Sequence, residues 1–168
     1  TESIKFALNT HVHGDHSGGN SNLAAMGVTV MTRDELRAEL AGSANPPERL
    51  PMVTYGGSVT FHMNGEEVRV FLVPPAHTDG DSFVYFSGSD VLRCGDVFRT
   101  NMHPIIDVYN GGSYSGMIDA LEIAIGLSGP NTKVIPGHGR GFTDRTGLIE
   151  VKGARLRRRG IAHEHLRV

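Results

Sequence analysis

The chain has 168 residues, with 16 basic and 18 acidic side chains, a formal net charge of −2 and a hydrophobic fraction of 39%. That length and composition support a self-sufficient core, which excludes a disordered or collagen-like chain, and the charge balance supplies no global positive field for nucleic acid or an anionic membrane. No apolar run approaches the roughly 18 residues of a membrane helix. The first residues lack the basic-then-apolar pattern of a leader, and Thr1 in place of Met reads as a trimmed start. Lone Cys94 has no partner within the chain, so cysteine usage leaves the compartment open.

In chain order, Ile4 to Leu8 reads as a short buried strand running into a loop, Asn9 to Asn20, that is crowded with His, Gly and Asp and has no helical period. Asn22 to Met26 predicts a short helix and Val28 to Met31 a strand. Thr32 with Glu35 forms a capping-box pattern for a helix running to about Ala41. Residues 42 to 51, with three prolines, form a connector. Ser58 to Met63 alternates apolar and polar residues, Asn64-Gly65 supplies a type I′ turn, and Glu67 to Val73 returns as the partner strand of a hairpin. Phe83 to Phe86 and Val91 to Cys94 continue the meander. Gly95 to Gly112 has no period and is long for a passive connection, which marks it as a binding loop. Ser113 to Leu127 has helical spacing, Lys133 to Ile135 is a brief strand, and Thr143 is placed to cap a last helix. There is no internal repeat or linker, so residues 1–168 read as one domain.

Nine histidines are the unusual feature. Thr10 to His16 reads THVHGDH, a pattern that composition alone produces in roughly one such chain in a thousand. Alternation in an extended loop points His11 and His13 the same way, and a turn at Gly14 brings Asp15 and His16 to a second position beside the first. Imidazole and carboxylate are ligands for zinc or iron. Further ligands are offered where strands hand over to loops: His77 in PPAHTDGDS, Asp96 in CGDVF and His138 in IPGHGRG. Taken singly, each of these is more often a turn residue. Beside THVHGDH, which cannot complete two metal sites alone, ligation becomes the better reading. His62 is read as solvent-facing on its strand, and His163 and His165 as tail residues.

THVHGDHSGGN, PPAHTDGDS, CGDVF and IPGHG, in this order, resemble the successive metal motifs of the metallo-β-lactamase-fold hydrolase superfamily. The resemblance implies an α/β fold, a four-layer αβ/βα sandwich with a dinuclear site at one edge of its two sheets. It implies that His11, His13 and His77 hold one divalent metal, that Asp15, His16 and His138 hold the other, and that Asp96 bridges them. The ligand set is similar to that of the glyoxalase II and lactonase-like branches, because Asp96 stands where zinc β-lactamases carry a Cys and Cys94 lies two residues too early. Members usually carry several strands before the first motif, whereas this chain starts about one strand before it. The expected domain is therefore N-terminally incomplete, with an open sheet edge that invites a second copy or a partner.

The expected chemistry is hydrolysis of a carbonyl substrate (lactam, lactone, ester or thioester) by hydroxide held between two metals, zinc first, with iron or manganese as alternatives. Asp15 and Asp96 fix the metal pair and orient the water. Substrate contacts are expected from residues 98 to 113, with His103 and Tyr109, and from Arg140. Three rival readings are a phosphodiesterase or nuclease on the same fold, a diiron redox protein, which would need a flavin domain or partner, and a metal-binding fragment without catalysis. The run Arg155, Arg157, Arg158 and Arg159 reads as a solvated helix face in preference to a phosphate-binding patch.

Overall fold

A computed structural model describes residues 3–43 and 45–154. The Arg155 to Arg159 run, His163 and His165 lie outside the described residues. The first half of the chain contains β1 (Phe6–Leu8), α1 (Gly14–Ser17), α2 (Asn20–Ala25), β2 (Thr29–Arg33), α3 (Asp34–Gly42) and β3 (Val53–Tyr55). The second half contains β4 (Ser58–Met63), β5 (Glu66–Leu72), β6 (Ser82–Phe86), β7 (Val91–Arg93), α4 (Tyr114–Leu127), β8 (Lys133–Ile135) and a helix α5 over residues 145–154. Single 3-10 turns lie at Pro47–Arg49 and Gly95–Val97.

Two sheets form. One is parallel, in the order β1-β2-β3; the other runs β4-β5-β6-β7-β8, antiparallel except for the parallel β7–β8 pair. The β4–β5 hairpin closes through Asn64 at φ 54° and Gly65 at φ 79°, the backbone that a type I′ turn demands and that Asn-Gly tolerates. Strand alternation sends Val70 and Val84 toward the parallel sheet, where they meet Tyr55 and Leu8, and sends Phe71 and Phe83 to the opposite face. On that opposite face Met117, Ala120, Leu121 and Ala124 of α4 pack with Leu148 of α5. Their spacing of three and four residues lays one stripe of α4 on the sheet. Burying Met117 and Leu121 completely stabilises the fold by about 1.5–3 kcal/mol each. Ser113 starts α4 by accepting a hydrogen bond from the Gly116 N–H. On the far side of the parallel sheet α2 contacts β2, and α3 contacts β2 and β3. The order is thus helices, sheet, sheet, helices.

The structure corrects four local expectations. The loop after β1 contains a helical turn, α1, because His16 and Ser17 N–H both return to the His13 carbonyl. The short helix α2 starts at Asn20, two residues before the expected Asn22, and ends at Ala25. Thr32 does not cap α3: it is a buried residue of β2, Arg33 occupies the cap position, and no side chain caps the helix. Thr143 does not cap α5 either, since its backbone bridges Val134; Asp144 Oδ1 accepts from the Thr146 and Gly147 N–H groups instead. β3, inside the stretch after the proline connector, has no counterpart among the expected elements. β1 is an edge strand of the parallel sheet, its first residue Phe6 and the preceding Ile4 are exposed, and an apolar cavity of about 510 Å³ lies between it and β4–β6.

Candidate metal centre

Four loops at one end of the sheets supply the clustered histidines and carboxylates. The first follows β1. Asn9 and Asn20 exchange side-chain amide hydrogen bonds at 3.1 and 2.9 Å, and Asn9 Nδ2 also donates to the His16 carbonyl at 3.0 Å, so this buried pair pins both ends of the THVHGDH loop. The second loop follows β5. Asp81 accepts from His77 N–H at 2.7 Å, Thr78 N–H at 3.0 Å and Thr78 Oγ1 at 2.9 Å, which closes a tight turn around His77. The third follows β7, where Gly95 at φ 53° swings the chain so that Asp96 turns inward. The fourth follows β8, where His138 pairs in parallel with Arg99 and its carbonyl accepts from Thr100 N–H.

The seven residues converge. Donor atoms of His11, His13 and His77 lie within 4.8 Å of one another, as do those of His11, His16 and Asp96, and those of Asp15, His16 and His138. Asp96 adjoins three histidines: its oxygens lie 3.2 Å from His16 Nε2, 3.3 Å from His138 Nε2 and 3.6 Å from His77 Nε2. Asp15 Oδ2 lies 3.0 Å from His138 Nε2 and 3.6 Å from His16 Nε2.

The hydrogen bonds on the outer side of each ring decide what its inner nitrogen presents. Ile105 O, an obligate acceptor, lies 2.9 Å from His77 Nδ1, which therefore carries the proton. Asp107 Oδ2 lies 2.8 Å from His13 Nε2, which donates likewise. In the neutral rings the two remaining nitrogens, His13 Nδ1 and His77 Nε2, then face each other as lone pairs at 3.0 Å. His11 Nδ1 meets Thr10 Oγ1 at 3.1 Å, while its Nε2 is buried without a partner. Burial, with His16 and His77 beside it, pushes the His11 imidazole down to about 2, so the ring is neutral at neutral pH and carries one free lone pair for a cation. Burial pulls the Asp96 carboxyl up, but His16, His11 and His77 outweigh it and hold the group down to about 2. Opposed lone pairs, an orphaned ring nitrogen and an ionised carboxylate among imidazoles fit divalent cations.

A cavity of about 400 Å³ opens on this cluster. Its walls include His13, Asp15, His77, Asp96 and His138 on one side and residues 105–109 on the other. Tyr109 belongs to the wall and is 97% exposed, whereas His103 and Arg140 are exposed and outside the lining. His62 is exposed on β4 beside Glu67, as expected. Two residues in the cavity wall were not singled out from the sequence. Arg99 is nine-tenths buried, with Nε unpartnered and no ion pair among the described residues. Asp107 is held down to about 2, first by the Asn110 side-chain amide and then by His13. The available signals were the position of Arg99 three residues past Asp96 and the status of Asp107 as the one carboxylate in residues 98–113.

Residues 2–138 match the family model described as the metallo-beta-lactamase superfamily. Among curated relatives, a hydroxyacylglutathione hydrolase of Pelagibacter ubique is 28% identical over 138 residues, covering 80% of this chain and 52% of the relative. One of Rhodospirillum rubrum, with the same name, is 36% identical over 142 residues, covering 81% and 48%. The chain thus spans about half the length of the curated relatives it matches. Among solved structures, a metallo-beta-lactamase from Pontibacter korlensis superposes with a TM-score of 0.78 at 21% identity, covering 92% of this chain and 70% of that one. DIM-1 metallo-beta-lactamase gives 0.73 at 21% identity, covering 88% and 67%. At these identities the likeness shows the fold.

Proposed function

The chain belongs to the metallo-beta-lactamase superfamily, and from that premise we propose that it is a dinuclear metal-dependent hydrolase of acyl compounds, with zinc the first metal to test. The observation that carries this is the pair of opposed nitrogens, His13 Nδ1 and His77 Nε2, 3.0 Å apart beside the orphaned His11 Nε2. His11, His13 and His77 would hold one cation; Asp15, His16 and His138 would hold the second, with Asp96 shared. When bound there, two such cations would supply an acidified water as nucleophile and Lewis-acid polarisation of a carbonyl.

The protein's own groups do the rest. Asp96, ionised and bounded by three histidines, supplies the charge that keeps the two ligand groups together. Asp15, more exposed, orients the second group from the solvent side. Arg99 reads as the group that receives the substrate: a guanidinium in the cavity wall with no acceptor among the described residues matches a carboxylate through its forked donors. Tyr109 on the rim supplies an apolar face to the acyl chain.

A substrate with an acyl carbon and a nearby carboxylate follows. The curated relatives are named for a hydroxyacylglutathione, and such a thioester is the first compound to try. Protein reconstituted with zinc is expected to release thiol from a hydroxyacyl thioester of glutathione, and Asp96→Ala is expected to abolish release. Turnover that persists in Asp96→Ala, or that is absent with fully loaded protein on thioester, lactone and lactam alike, would contradict the reading.

A further inference from the structure

Asp107 lines the cavity outside the three ligand groups, and every polar atom of it is engaged. Its Oδ1 accepts from the Tyr109 and Asn110 N–H groups at 3.0 and 3.2 Å, and its Oδ2 accepts from the Asn110 side-chain amide at 2.7 Å and from His13 Nε2 at 2.8 Å. Its backbone N–H donates to the His77 carbonyl at 2.8 Å, and its carbonyl accepts from Gly112 N–H at 2.8 Å. Two residues earlier, the Ile105 carbonyl takes the proton of His77 Nδ1. One short loop segment therefore dictates which nitrogen of His13 and of His77 is free, and the same segment walls the cavity.

Resting on the reading of His13 as a metal ligand, we infer that Asp107 is a positioning residue: its Oδ2 holds His13 in the Nε2–H tautomer, presents Nδ1 to the cation, and so couples metal affinity to the conformation of the cavity loop. The two oxygens divide the work. Oδ1 shapes the turn through two backbone N–H groups, while Oδ2 addresses the imidazole and the Asn110 side-chain amide. Asp107→Asn separates these roles, because the amide oxygen can keep the turn while an NH2 group replaces the acceptor facing His13. A donor there favours the opposite tautomer, with the proton on Nδ1 and the ligand lone pair turned away.

The test reads the tautomer and the metal separately. Long-range 1H–15N correlation spectra of the metal-free wild type are expected to show His13 protonated at Nε2, and those of Asp107→Asn to show it protonated at Nδ1. Zinc titrated against a chromophoric chelator is expected to bind Asp107→Asn 10- to 100-fold more weakly for at least one equivalent, the range seen when such outer partners are removed. Asp107→Glu, which retains an acceptor, is expected to recover part of that loss. A wild-type His13 protonated at Nδ1, or unchanged zinc affinity in a folded Asp107→Asn protein, would overturn the inference, and the wild-type spectrum decides even if the variant fails to fold. Failure of the wild type to bind two zinc ions would instead overturn the ligand reading beneath it.

Discussion

His13 Nδ1 and His77 Nε2 stand 3.0 Å apart with no proton available to either in the neutral rings, since His13 Nε2 is committed to Asp107 and His77 Nδ1 to the Ile105 carbonyl. Such a contact is repulsive until a cation enters. Added zinc should therefore stabilise chelator-treated protein by RT ln(1 + [L]/Kd), or about 2.7 kcal/mol at a hundredfold excess over Kd, and so raise its thermal midpoint in a concentration-dependent way. A midpoint indifferent to zinc in a calorimetric scan would count against the ligand assignment.

Substitution of Arg99 tests the proposed substrate contact apart from metal binding. Removing its guanidinium forfeits a charge-assisted hydrogen bond of about 1.5–3 kcal/mol, equivalent to roughly 10- to 100-fold. Arg99→Ala is expected to raise KM by that factor for a carboxylate-bearing thioester, to leave a neutral thioester unaffected and to retain the wild-type metal content. Equal effects on both substrates would remove Arg99 from the role.

Asp81 presents the opposite case, a buried carboxylate far more useful to the fold than to chemistry. Asp81→Ala leaves the His77 and Thr78 donors buried without acceptors, at a cost of about 1–3 kcal/mol for each one left unpaired. Urea denaturation should show a loss of several kcal/mol, together with weaker zinc binding because the turn no longer fixes His77. A stability loss below about 1 kcal/mol would mean that water replaces the carboxylate.

Gly137 lies against the centre. A Cβ there would sit 1.9 Å from Asp96 Oδ1 and 2.6 Å from the Gly95 carbonyl, so Gly137→Ala must displace Asp96. The expected outcome is a folded protein that loses metal on dialysis. Gly126 near the end of α4 is the control, since nothing lies within 4 Å of its added Cβ, and Gly126→Ala should retain metal and gain up to about 1 kcal/mol.

Legibility from sequence followed the range of the interactions involved. The β4–β5 hairpin and α4 are specified by neighbours in sequence: an Asn-Gly turn in one case, a Ser113 cap and an i, i+3, i+4 stripe in the other. THVHGDH was legible because six ordinary loop residues do not repeat imidazole and carboxylate at the density of His11 to His16. β3 was not, because three residues at the edge of a parallel sheet carry no period and form only once β2 is beside them. Thr143 and Thr32 looked like caps on composition, yet strand pairing claimed both backbones. Arg99 and Asp107 lie in a stretch without period, and only closure of the chain puts one against His138 and the other against His13, 94 residues away.

The most direct test of the central claim is metal content per chain, by plasma mass spectrometry, of protein saturated with zinc and passed through a desalting column, alongside Asp96→Ala. Two equivalents in the wild type, falling to one or none in the variant, is the expected result. Fewer than one equivalent in the wild type, or two retained without Asp96, would contradict a shared dinuclear centre.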